Sequence, residues 1–455
     1  MEYMSLLKHF FELRKNTNRT AGEIQGLQEQ KLRALLHHAW DHSPYYRQRF
    51  ESAGITRAEL DTKPLSAFPT IDKAALLSHF DDLVTVRDLH QEELCRFDAE
   101  KSMDEKIYLG KYHIVHSSGS TGKPGYFVYD EAAWDQMLLG IIRGALWGMS
   151  TGAILKLLLG GPRILYIAAT DGRYGGAMAV GDGVDGLHAK QLHLDIKTPL
   201  HQWVTSVREF RPNIIIGYPS AIKILGELVE QGQVDVQIKR LISCGEPLSV
   251  NMRQFLEGAF QCPVVNFYGA SESLALGVEM GDGDGMVLFD DMNIIEVVDG
   301  TMYLTSLYNF VQPLIRYKVS DQLTLHQPAA GDRWPFTRAD TILGRDEDIL
   351  WFEDQRGSRD FLHPLAIEGF CIDGLRDYQF RQIGPDSFEM LCETASPEVQ
   401  EPIRQEMLRQ MKGILLEKGL GYVQFYVRFV DMIRPDPKTG KKKLILKETE
   451  AVENP

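Results

Sequence analysis

Cysteine is scarce in this sequence, and its placement follows no pattern. The 455 residues contain five cysteines, none in a CxxC pair and none at a regular spacing: Cys95, Cys244, Cys262, Cys371 and Cys392. This distribution argues against a disulfide framework and against a zinc ribbon, and it favours a reducing cytoplasm. Long apolar runs are also missing, because the most apolar stretch, residues 153–170, is broken by Lys156 and by a Gly-Gly-Pro-Arg turn. We therefore expect a cytoplasmic protein with no membrane-spanning helix and no membrane partner.

Basic residues are outnumbered by acidic ones. Lys and Arg number 49, Asp and Glu number 63, and the formal net charge at pH 7 is -14. Such a surface is not built to neutralise nucleic-acid phosphates or anionic lipid, so no nucleic-acid partner is expected. An anionic substrate must therefore be attracted by basic residues close to its own binding site. At about 150 residues per domain, the length suggests two or three packing units.

The middle of the chain alternates short apolar runs with amphipathic stretches, which is typical of an α/β sheet flanked by helices. The runs are residues 164–168, 214–216, 241–243 and 264–267, and the amphipathic stretches include 220–231 and 250–259. Before them, residues 23–50 predict an amphipathic helix that breaks at Ser43-Pro44. Residues 286–325 change to alternating strands and predict a smaller antiparallel unit.

The last part of the chain predicts a small α+β domain. Residues 397–418 have a helical pattern and residues 422–430 a strand pattern. We expect a large N-terminal domain over residues 1–343 and a small C-terminal domain over residues 344–455.

A loop rich in glycine and hydroxyl groups carries the strongest local signal. It lies between two apolar pieces and reads Ser117, Ser118, Gly119, Ser120, Thr121, Gly122 and Lys123, followed by Pro124. Glycines let backbone N–H groups turn toward a phosphate, hydroxyls add donors, and the lysine supplies charge. The loop is not a Walker A motif, because its spacing is GxxGK and a proline follows. A polar loop without a ligand is the alternative reading of this stretch alone.

Further motifs follow the loop in an informative order. They read SCGEP (243–247), NFYGASE (266–272), PLIRYKVSD (313–321), LGRDEDI (343–349) and PKTGK (437–441). Together they resemble the adenylate-forming superfamily of acyl-CoA synthetases and peptide-synthetase adenylation domains. The PLIRY element, the preceding TSLY (305–308) and the N-terminal QKLRALLHHAWDHSPYYRQRF are similar to the phenylacetate-coenzyme A ligase branch. The resemblance spans essentially the whole chain.

The resemblance implies a fold, a reaction and cofactors. The fold is α/β, with a large multi-sheet N-terminal domain of the adenylate-forming type and a small mobile α+β C-terminal domain. The reaction is ATP-dependent activation of a carboxylic acid as an acyl-adenylate with release of pyrophosphate. The acyl group then passes to the thiol of coenzyme A or of a carrier protein's phosphopantetheine. The cofactors are ATP and Mg²⁺, and an acyl or peptidyl carrier protein is a candidate partner.

The resemblance also implies nucleotide-binding residues. The loop from Ser117 to Lys123 would close over the β- and γ-phosphates. Tyr268 matches the aromatic residue that stacks on adenine, and the backbone of Gly245, Glu246 and Pro247 would border that base. Asn266, Phe267 and Gly269 belong to the same element as Tyr268. An ordinary half-buried tyrosine at a strand end is the alternative for Tyr268.

Four further residues match the family at the phosphates and the ribose. Glu272 would hold Mg²⁺, where one carboxylate suffices because the ion keeps waters and phosphate oxygens. Ser271 would reach the α-phosphate, and Asp321 would accept both ribose hydroxyls. Arg345 would approach the ribose or phosphates. For Asp321 the alternative is a turn aspartate, and for Arg345 it is a structural ion pair.

Lys441 is the catalytic residue that the resemblance implies. A lysine on this Thr-Gly-Lys turn can bridge the attacking carboxylate and the α-phosphate. Lys438, Lys442 and Lys443 crowd around it, and only the match of Gly440-Lys441 selects one of them. Glu347 occupies the hinge position of the GRxD element, where the family usually has Asp.

Zinc is not predicted, although some relatives in this branch hold zinc with cysteines and a histidine just after YGxSE. Residues 275–287 of this chain contain neither residue type.

The predicted acid pocket is bordered by residues that are mostly apolar and small. It would be bordered by Tyr218, Cys244, Gly245, Ala270 and Gly277, and by the glycine-rich residues 171–177. This border favours an aryl or other apolar acid over an α-amino acid. The alternatives are transfer to an amine or alcohol, a kinase-like phosphate binder, and a non-catalytic nucleotide-binding relative.

Overall fold

The computed structural model describes most of the chain. The described residues are 3–99, 107–116, 125–169, 189–319, 321, 323–329, 331–340, 349–354, 357, 359–363, 366–367, 370, 372–433 and 444–446. Within them, no helix combines the length and the apolar character that crossing a bilayer requires.

The helices are numbered here in chain order. They are α1 (Tyr3–Lys15), α2 (Ala21–His42), α3 (Pro44–Ser52), α4 (Lys73–Ser78), α5 (Phe80–Leu83), α6 (Gln91–Ala99), α7 (Glu131–Ala145), α8 (Thr151–Leu159), α9 (Leu200–Phe210), α10 (Pro219–Glu230), α11 (Val250–Phe260) and α12 (Gln400–Lys418). Short 3-10 turns lie at Asn16–Asn18, Arg57–Glu59, Leu65–Ala67 and Pro397–Val399.

The strands are numbered in the same way. They are β1 (Tyr112–His116), β2 (Tyr126–Asp130), β3 (Arg163–Ala168), β4 (Lys190–Asp195), β5 (Ile214–Gly217), β6 (Arg240–Cys244), β7 (Val264–Ala270), β8 (Ser273–Glu279), β9 (Met286–Leu288), β10 (Asn293–Val298), β11 (Thr301–Ser306), β12 (Tyr317–Val319), β13 (Leu325–His326), β14 (Arg338–Ala339), β15 (Leu350–Glu353), β16 (Arg359–Leu362), β17 (Leu375–Gly384), β18 (Ser387–Thr394), β19 (Gln424–Val430) and β20 (Ile445–Leu446).

Capping residues set the ends of the N-terminal helices α2 and α3. Thr20 and Glu23 form a capping box that satisfies the first free N–H groups of α2. Ser43 ends α2, and its hydroxyl accepts a hydrogen bond from the Tyr46 N–H to cap α3, which Pro44 opens. The predicted amphipathic helix with a break at Ser43-Pro44 is confirmed as the pair α2 and α3.

A nine-stranded sheet in the described residues forms the centre of the molecule, in the order β13-β14-β9-β8-β7-β6-β5-β3-β4. The five strands from β7 to β4 are parallel, whereas β8, β9, β14 and β13 are antiparallel to their neighbours. Parallel strands buried on both faces read as continuous apolar runs, which explains why β3, β5, β6 and β7 were predictable. The α/β prediction is confirmed, and α10 and α11 lie where amphipathic stretches predicted them.

The prediction of one antiparallel unit over residues 286–325 is wrong in part. β10, β11 and β12 form a separate antiparallel sheet as expected. β9 instead pairs with β8, and β13 joins the large sheet through β14. All three residues of β9 are buried, so burial and non-local pairing decide its place.

The C-terminal part contains a four-stranded sheet in the order β19-β18-β17-β20 and the helix α12. The predicted helix and strand are confirmed as α12 and β19. The predicted domain boundary between residues 343 and 344 lies outside the described residues.

A buried lysine at the end of α12 contacts the segment that precedes α9. Lys418, the last residue of α12, is fully buried, donates to the carbonyl of Thr198 and lies 3.3 Å from Asp360. Its ammonium also lies 3.8 Å from the ring centroid of Phe361. Burial lowers the pKa of Lys418 to about 8, although Asp360 acts to raise it. These contacts connect α12, β16 and the residues preceding α9.

A buried ion pair fastens the N-terminal helices to the sheet region. Arg143 on α7 contacts both carboxylate oxygens of Asp291, and both side chains are almost completely buried. Asn16 donates to the same carboxylate at 2.8 Å, and Lys31 donates to the backbone carbonyl of Asp291. Arg143 holds the pKa of Asp291 below its usual range against the opposing effect of burial.

Helix α7 packs tightly against the sheet at two glycines. A Cβ at Gly144 would lie 2.4 Å from the ring of Phe267 in β7, and one at Gly140 would meet Met292 at 2.6 Å. These glycines therefore allow the helix axis to approach the strands, although glycine weakens a helix interior.

Replacing Gly144 by alanine should destabilise the fold. The added methyl overlaps an aromatic ring that is itself packed, and overpacking costs about 1–3 kcal/mol. Chemical denaturation of the purified variant should show a midpoint shifted to lower denaturant.

Gly26→Ala is the matched control. Gly26 also lies inside a helix, but a Cβ there would meet nothing within 4 Å. The control should gain about 0.5–1 kcal/mol from helix propensity. Equal shifts in the two variants would show that the contact with Phe267 does not limit position 144.

Candidate active site

The candidate site lies where three parallel strands end. Gly217 in β5 pairs with Ser243 in β6, and Cys244 in β6 pairs with Phe267 in β7, so the three carboxyl ends are adjacent. Ligands of open α/β sheets bind at this edge. The turns after these strands carry several of the predicted residues, namely Tyr218 after β5, residues 245–247 after β6, and Ser271 and Glu272 after β7.

Tyr218 and Gly245 are packed against each other. Gly245 has φ +80°, and a Cβ there would lie 2.6 Å from the Tyr218 ring. A residue with a side chain would therefore be strained and would also collide with the ring. Tyr218 is held in place because Pro219 opens α10 directly behind it. The structure thus brings together two residues that were predicted to border the acid.

Tyr268 and Asp321 are joined by a hydrogen bond. The Tyr268 hydroxyl donates to Asp321 Oδ2 at 2.7 Å, across 53 residues of sequence. Burial, the charge of Asp321 and this hydrogen bond all raise the pKa of Tyr268, which stays a phenol. An ionised carboxylate has about four acceptor positions, so Asp321 keeps capacity for two ribose hydroxyls. The predicted adenine and ribose residues therefore share one small region.

Ser271 and Glu272 form the tight turn between β7 and β8. A Cβ at Gly269 would lie 2.4 Å from the carbonyl oxygen of Leu274, so only glycine lets the two strands approach here. The buried Tyr129 hydroxyl donates to the carbonyl of Glu272 at 3.1 Å. This contact anchors the turn to the end of β2. Sequence reasoning missed Tyr129, because an apolar strand shows burial but not the partner of a hydroxyl.

The surroundings of the Glu272 carboxyl group disfavour its ionised form. Burial raises its pKa, its own backbone N–H opposes that shift, and the charge of Asp321 raises the pKa further. Lys73 counteracts these effects weakly. A divalent cation beside Glu272 would favour the ionised form, so the residue fits the predicted magnesium role. In the described part of the chain, no three His, Cys, Asp or Glu side chains could hold a metal by themselves, so phosphate oxygens and water would complete its shell.

Glu246 belongs to a buried polar cluster with Ser220 and His363. The Ser220 hydroxyl donates to Glu246 Oε2 at 2.6 Å, and His363 Nε2 lies 2.9 Å from Glu246 Oε1. His363 Nε2 is also 2.8 Å from the Ser220 oxygen, and its ring stacks on Tyr218 with centroids 5.5 Å apart. A C-terminal residue therefore supports the wall that Tyr218 and Gly245 form. Nothing in the sequence indicated His363, since 143 residues separate it from Ser220.

Cys244 contributes an uncharged group to this wall. Burial, and then the charge of Glu246, raise the pKa of its thiol to about 12. The thiol is therefore protonated at neutral pH and is a weak nucleophile. It fits an apolar pocket better than a catalytic role.

Other predicted residues have side chains engaged in structural contacts. The Asn266 amide donates to Glu279 at 3.2 Å, and Phe267 is buried beside α7. Gly277 lies opposite Tyr268 in β8, where a Cβ would meet the carbonyl oxygen of Val287 at 2.8 Å. Arg316, a member of the PLIRYKVSD motif to which no role was assigned, is paired with Glu296 at 3.0 Å.

Several predicted residues lie outside the described part of the chain. These are the loop Ser117 to Lys123, the glycine-rich residues 171–177, Arg345, the hinge residue Glu347 and the catalytic candidate Lys441.

Known proteins resemble this chain in sequence and in fold. No family model matches it. The phenylacetate-coenzyme A ligase of Pseudomonas putida is 28% identical over 345 residues, which cover 71% of each chain. Protein CapK of Staphylococcus aureus is 20% identical over 452 residues, covering 96% of this chain and 92% of that protein.

A solved structure of 2-hydroxyisobutyryl-CoA ligase, in complex with 2-HIB-AMP and CoA, has a TM-score of 0.61 at 20% identity. It covers 95% of this chain and 91% of the other. The chain is thus similar in sequence to phenylacetate-coenzyme A ligases and similar in fold to a solved acyl-CoA ligase.

Proposed function

We propose that this protein activates an aryl or other apolar carboxylic acid with ATP and transfers the acyl group to the thiol of coenzyme A. The observation that carries the proposal is the meeting of Glu272, Tyr268 and Asp321 at the sheet edge that also holds the acid wall of Tyr218 and Gly245. The sequence relationship to phenylacetate-coenzyme A ligases supports the same reaction.

In the first step, an oxygen of the acid's carboxylate attacks the α-phosphorus of ATP, and pyrophosphate leaves. Asp321 accepts the ribose hydroxyls while its bond from Tyr268 fixes the orientation of both side chains. Ser271 donates to the α-phosphate, and the loop from Ser117 to Lys123 holds the departing phosphates. Magnesium bound at Glu272 would neutralise phosphate charge.

Lys441 offsets the negative charge that develops as the carboxylate meets the α-phosphate. In the second step, the sulfur of a thiolate attacks the acyl carbonyl carbon and forms the thioester, while the bond between that carbon and the phosphate oxygen breaks and AMP leaves with its electrons. We propose that residues 344–455 act as a separate domain with its hinge at Glu347, so that one site serves both steps.

The acid is proposed to be apolar because its wall offers no obvious partner for an ammonium group. Tyr218, Gly245 and Ala270 present ring, backbone and methyl groups, and Cys244 is a neutral thiol. Glu246 is the nearest acid in sequence, and it is already engaged by Ser220 and His363. A cytoplasmic location is supported by Cys95, Cys244, Cys262 and Cys392, which are free thiols in the described residues.

Acid-dependent exchange of labelled pyrophosphate into ATP tests the proposed function. The screen covers aryl and fatty acids, and positive acids are then offered coenzyme A, phosphopantetheine on a carrier protein, or an amine. Exchange followed by a coenzyme A thioester is expected. Absence of exchange with every acid, or release of ADP, would contradict acyl-adenylate formation.

Lys441→Ala should lower adenylate formation about 100-fold to 1,000-fold, because it removes one donor that acts in the transition state. ATP affinity should stay nearly unchanged, which equilibrium dialysis can measure. Lys442→Ala is the control with the same charge change one residue away. An equal loss in the control would show that Lys441 is the wrong lysine.

Asp321→Asn should reduce discrimination between ATP and 2′-deoxy-ATP. A hydrogen bond to a charged group contributes about 1.5–3 kcal/mol, so the wild-type protein should prefer ATP by about tenfold or more. The ratio of kcat/KM values for the two nucleotides measures this preference. Tyr268→Phe keeps the carboxylate and should retain most of it. If Asp321→Asn prefers ATP over 2′-deoxy-ATP as strongly as the wild type does, Asp321 does not bind the ribose hydroxyls.

Glu272→Gln should raise the thermal midpoint at pH 7 to 8 in the absence of magnesium and nucleotide, while abolishing pyrophosphate exchange. A carboxyl group whose pKa is raised by folding contributes stability below its unfolded pKa of about 4.5. That contribution is lost as pH rises through the folded pKa, so the neutral glutamine is better tolerated near neutrality.

Glu279→Gln is the matched control at the other end of β8. Glu279 is paired with Arg253 and also accepts from Asn266, so removing its charge leaves the partly buried Arg253 with Glu257, at 3.5 Å, as its remaining ionic partner among the described residues. The control should therefore lower the midpoint. A lowered midpoint in both variants would show that the charge of Glu272 does not destabilise the fold.

A further inference from the structure

A cavity of about 350 Å³ lies outside the candidate active site. Its walls come from α1, the Asn16–Asn18 turn, the end of α7 with the loop after it, and residues 333–334. We call it the amino-edge cavity. The first residue of β6, Arg240, donates at 2.6 Å to the carbonyls of both Ala145 and Trp147, the latter a cavity residue. The cavity therefore lies beside the amino end of β6, whereas the candidate active site lies at its carboxyl end.

The lining of the amino-edge cavity is basic in an otherwise acidic protein. The cavity is lined by Arg14, Lys15, Arg143 and Arg333, and no acidic residue lines it. The whole chain has a net charge of -14, so this local excess of cations is not a reflection of composition. A cavity with such a wall favours an anionic occupant.

Two of these cations have no acidic partner among the described residues. The Arg14 guanidinium donates to neutral oxygens only, the carbonyl of Met149 and the hydroxyl of Thr151. Lys15 is exposed and makes no ion pair in the described part. Arg333 is partly neutralised by Asp282 at 3.0 Å. The excess positive charge is therefore concentrated at Arg14 and Lys15.

Four aromatic rings form a further part of the wall, which also contains aliphatic and polar side chains. Trp147 and Trp334 have ring centroids 4.8 Å apart, and Phe10 and Phe11 face the same space from α1. The guanidinium of Arg333 lies 4.8 Å from the Trp334 ring and covers one side of it. Pockets that are mostly apolar and aromatic, with a few polar groups, are typical of small-molecule sites of about 300–1,000 Å³.

A buried donor at the cavity lacks an acceptor. Arg143 is only 2% exposed, and its two terminal nitrogens are used by Asp291. Its Nε–H has no hydrogen-bond partner in the described residues. A buried unsatisfied donor costs about 1–3 kcal/mol, so an acceptor supplied by a ligand would be favourable.

We propose that the amino-edge cavity binds a small aromatic carboxylate. The carboxylate interacts with Arg14 and Lys15 and supplies an acceptor to the arginine-rich wall, while the ring packs among Trp147, Trp334 and Phe10. Aromatic rings account for the preference for an aromatic body, and the missing acidic partners account for the preference for an anion. This site is separate from the acid pocket at the carboxyl edge of the sheet, and it does not depend on the proposed reaction.

Fluorine NMR of the full chain labelled with 5-fluorotryptophan tests this site, with 2-naphthoate as the probe. The chain has six tryptophans, and Trp334→Phe assigns the resonance of Trp334. We expect this resonance to shift in a saturable way as 2-naphthoate is added. The uncharged 2-naphthamide has the same rings and should bind at least about tenfold more weakly, as expected for a lost charge-assisted hydrogen bond.

Lys15→Gln should weaken 2-naphthoate binding about tenfold, as estimated for a lost contact to a charged group. Lys15 is exposed, so the variant should keep its thermal midpoint. Lys8→Gln makes the same charge change at another exposed position of α1 that does not line the cavity, and it should bind like the wild type. An unshifted Trp334 resonance, equal affinity for the amide, or equal weakening by Lys8→Gln would each overturn the proposal.

Discussion

The buried pair of Arg143 and Asp291 is the interaction on which much of the arrangement depends. It ties α7 to the loop before β10, and through Asn16 and Lys31 it holds α1 and α2 on the same loop. Removing one partner of such a pair costs about 3–5 kcal/mol, because the other charge stays buried. Since α7 also packs on β7 through Gly144, the pair indirectly sets the distance between the helix layer and the strand that carries Tyr268.

In the candidate site, hydrogen bonds fix the positions of the side chains, but the surroundings disfavour the negative charge of Glu272. Tyr129 anchors the turn of Glu272, and Tyr268 is fixed to Asp321. The Glu272 carboxyl itself is disfavoured as an anion by burial and by Asp321. Such a cost is typical of sites whose function conflicts with maximal stability.

The sequence predicted the fold best where the physical signal is local. Apolar runs predicted β3, β5, β6 and β7, and helical periodicity predicted α10, α11 and α12. Both signals depend only on the residues of the element itself. The predicted sheet membership of β9 and β13 was wrong, since strand pairing between distant segments has no local signal. At the site, the family motifs pointed to Tyr268 and Asp321, which a hydrogen bond joins in the structure, and their roles stay predictions. Tyr129 and His363 were missed because their partners lie 143 residues away.

The contact between Gly245 and Tyr218 restricts how this wall could diversify among descendants of the chain. Position 245 accepts no side chain, because its backbone is left-handed and the tyrosine ring occupies the space. Position 218 is free of that backbone restriction, and its ring is supported from behind by His363. A smaller residue at position 218 would remove the collision with the ring, but the left-handed backbone would still keep glycine at position 245.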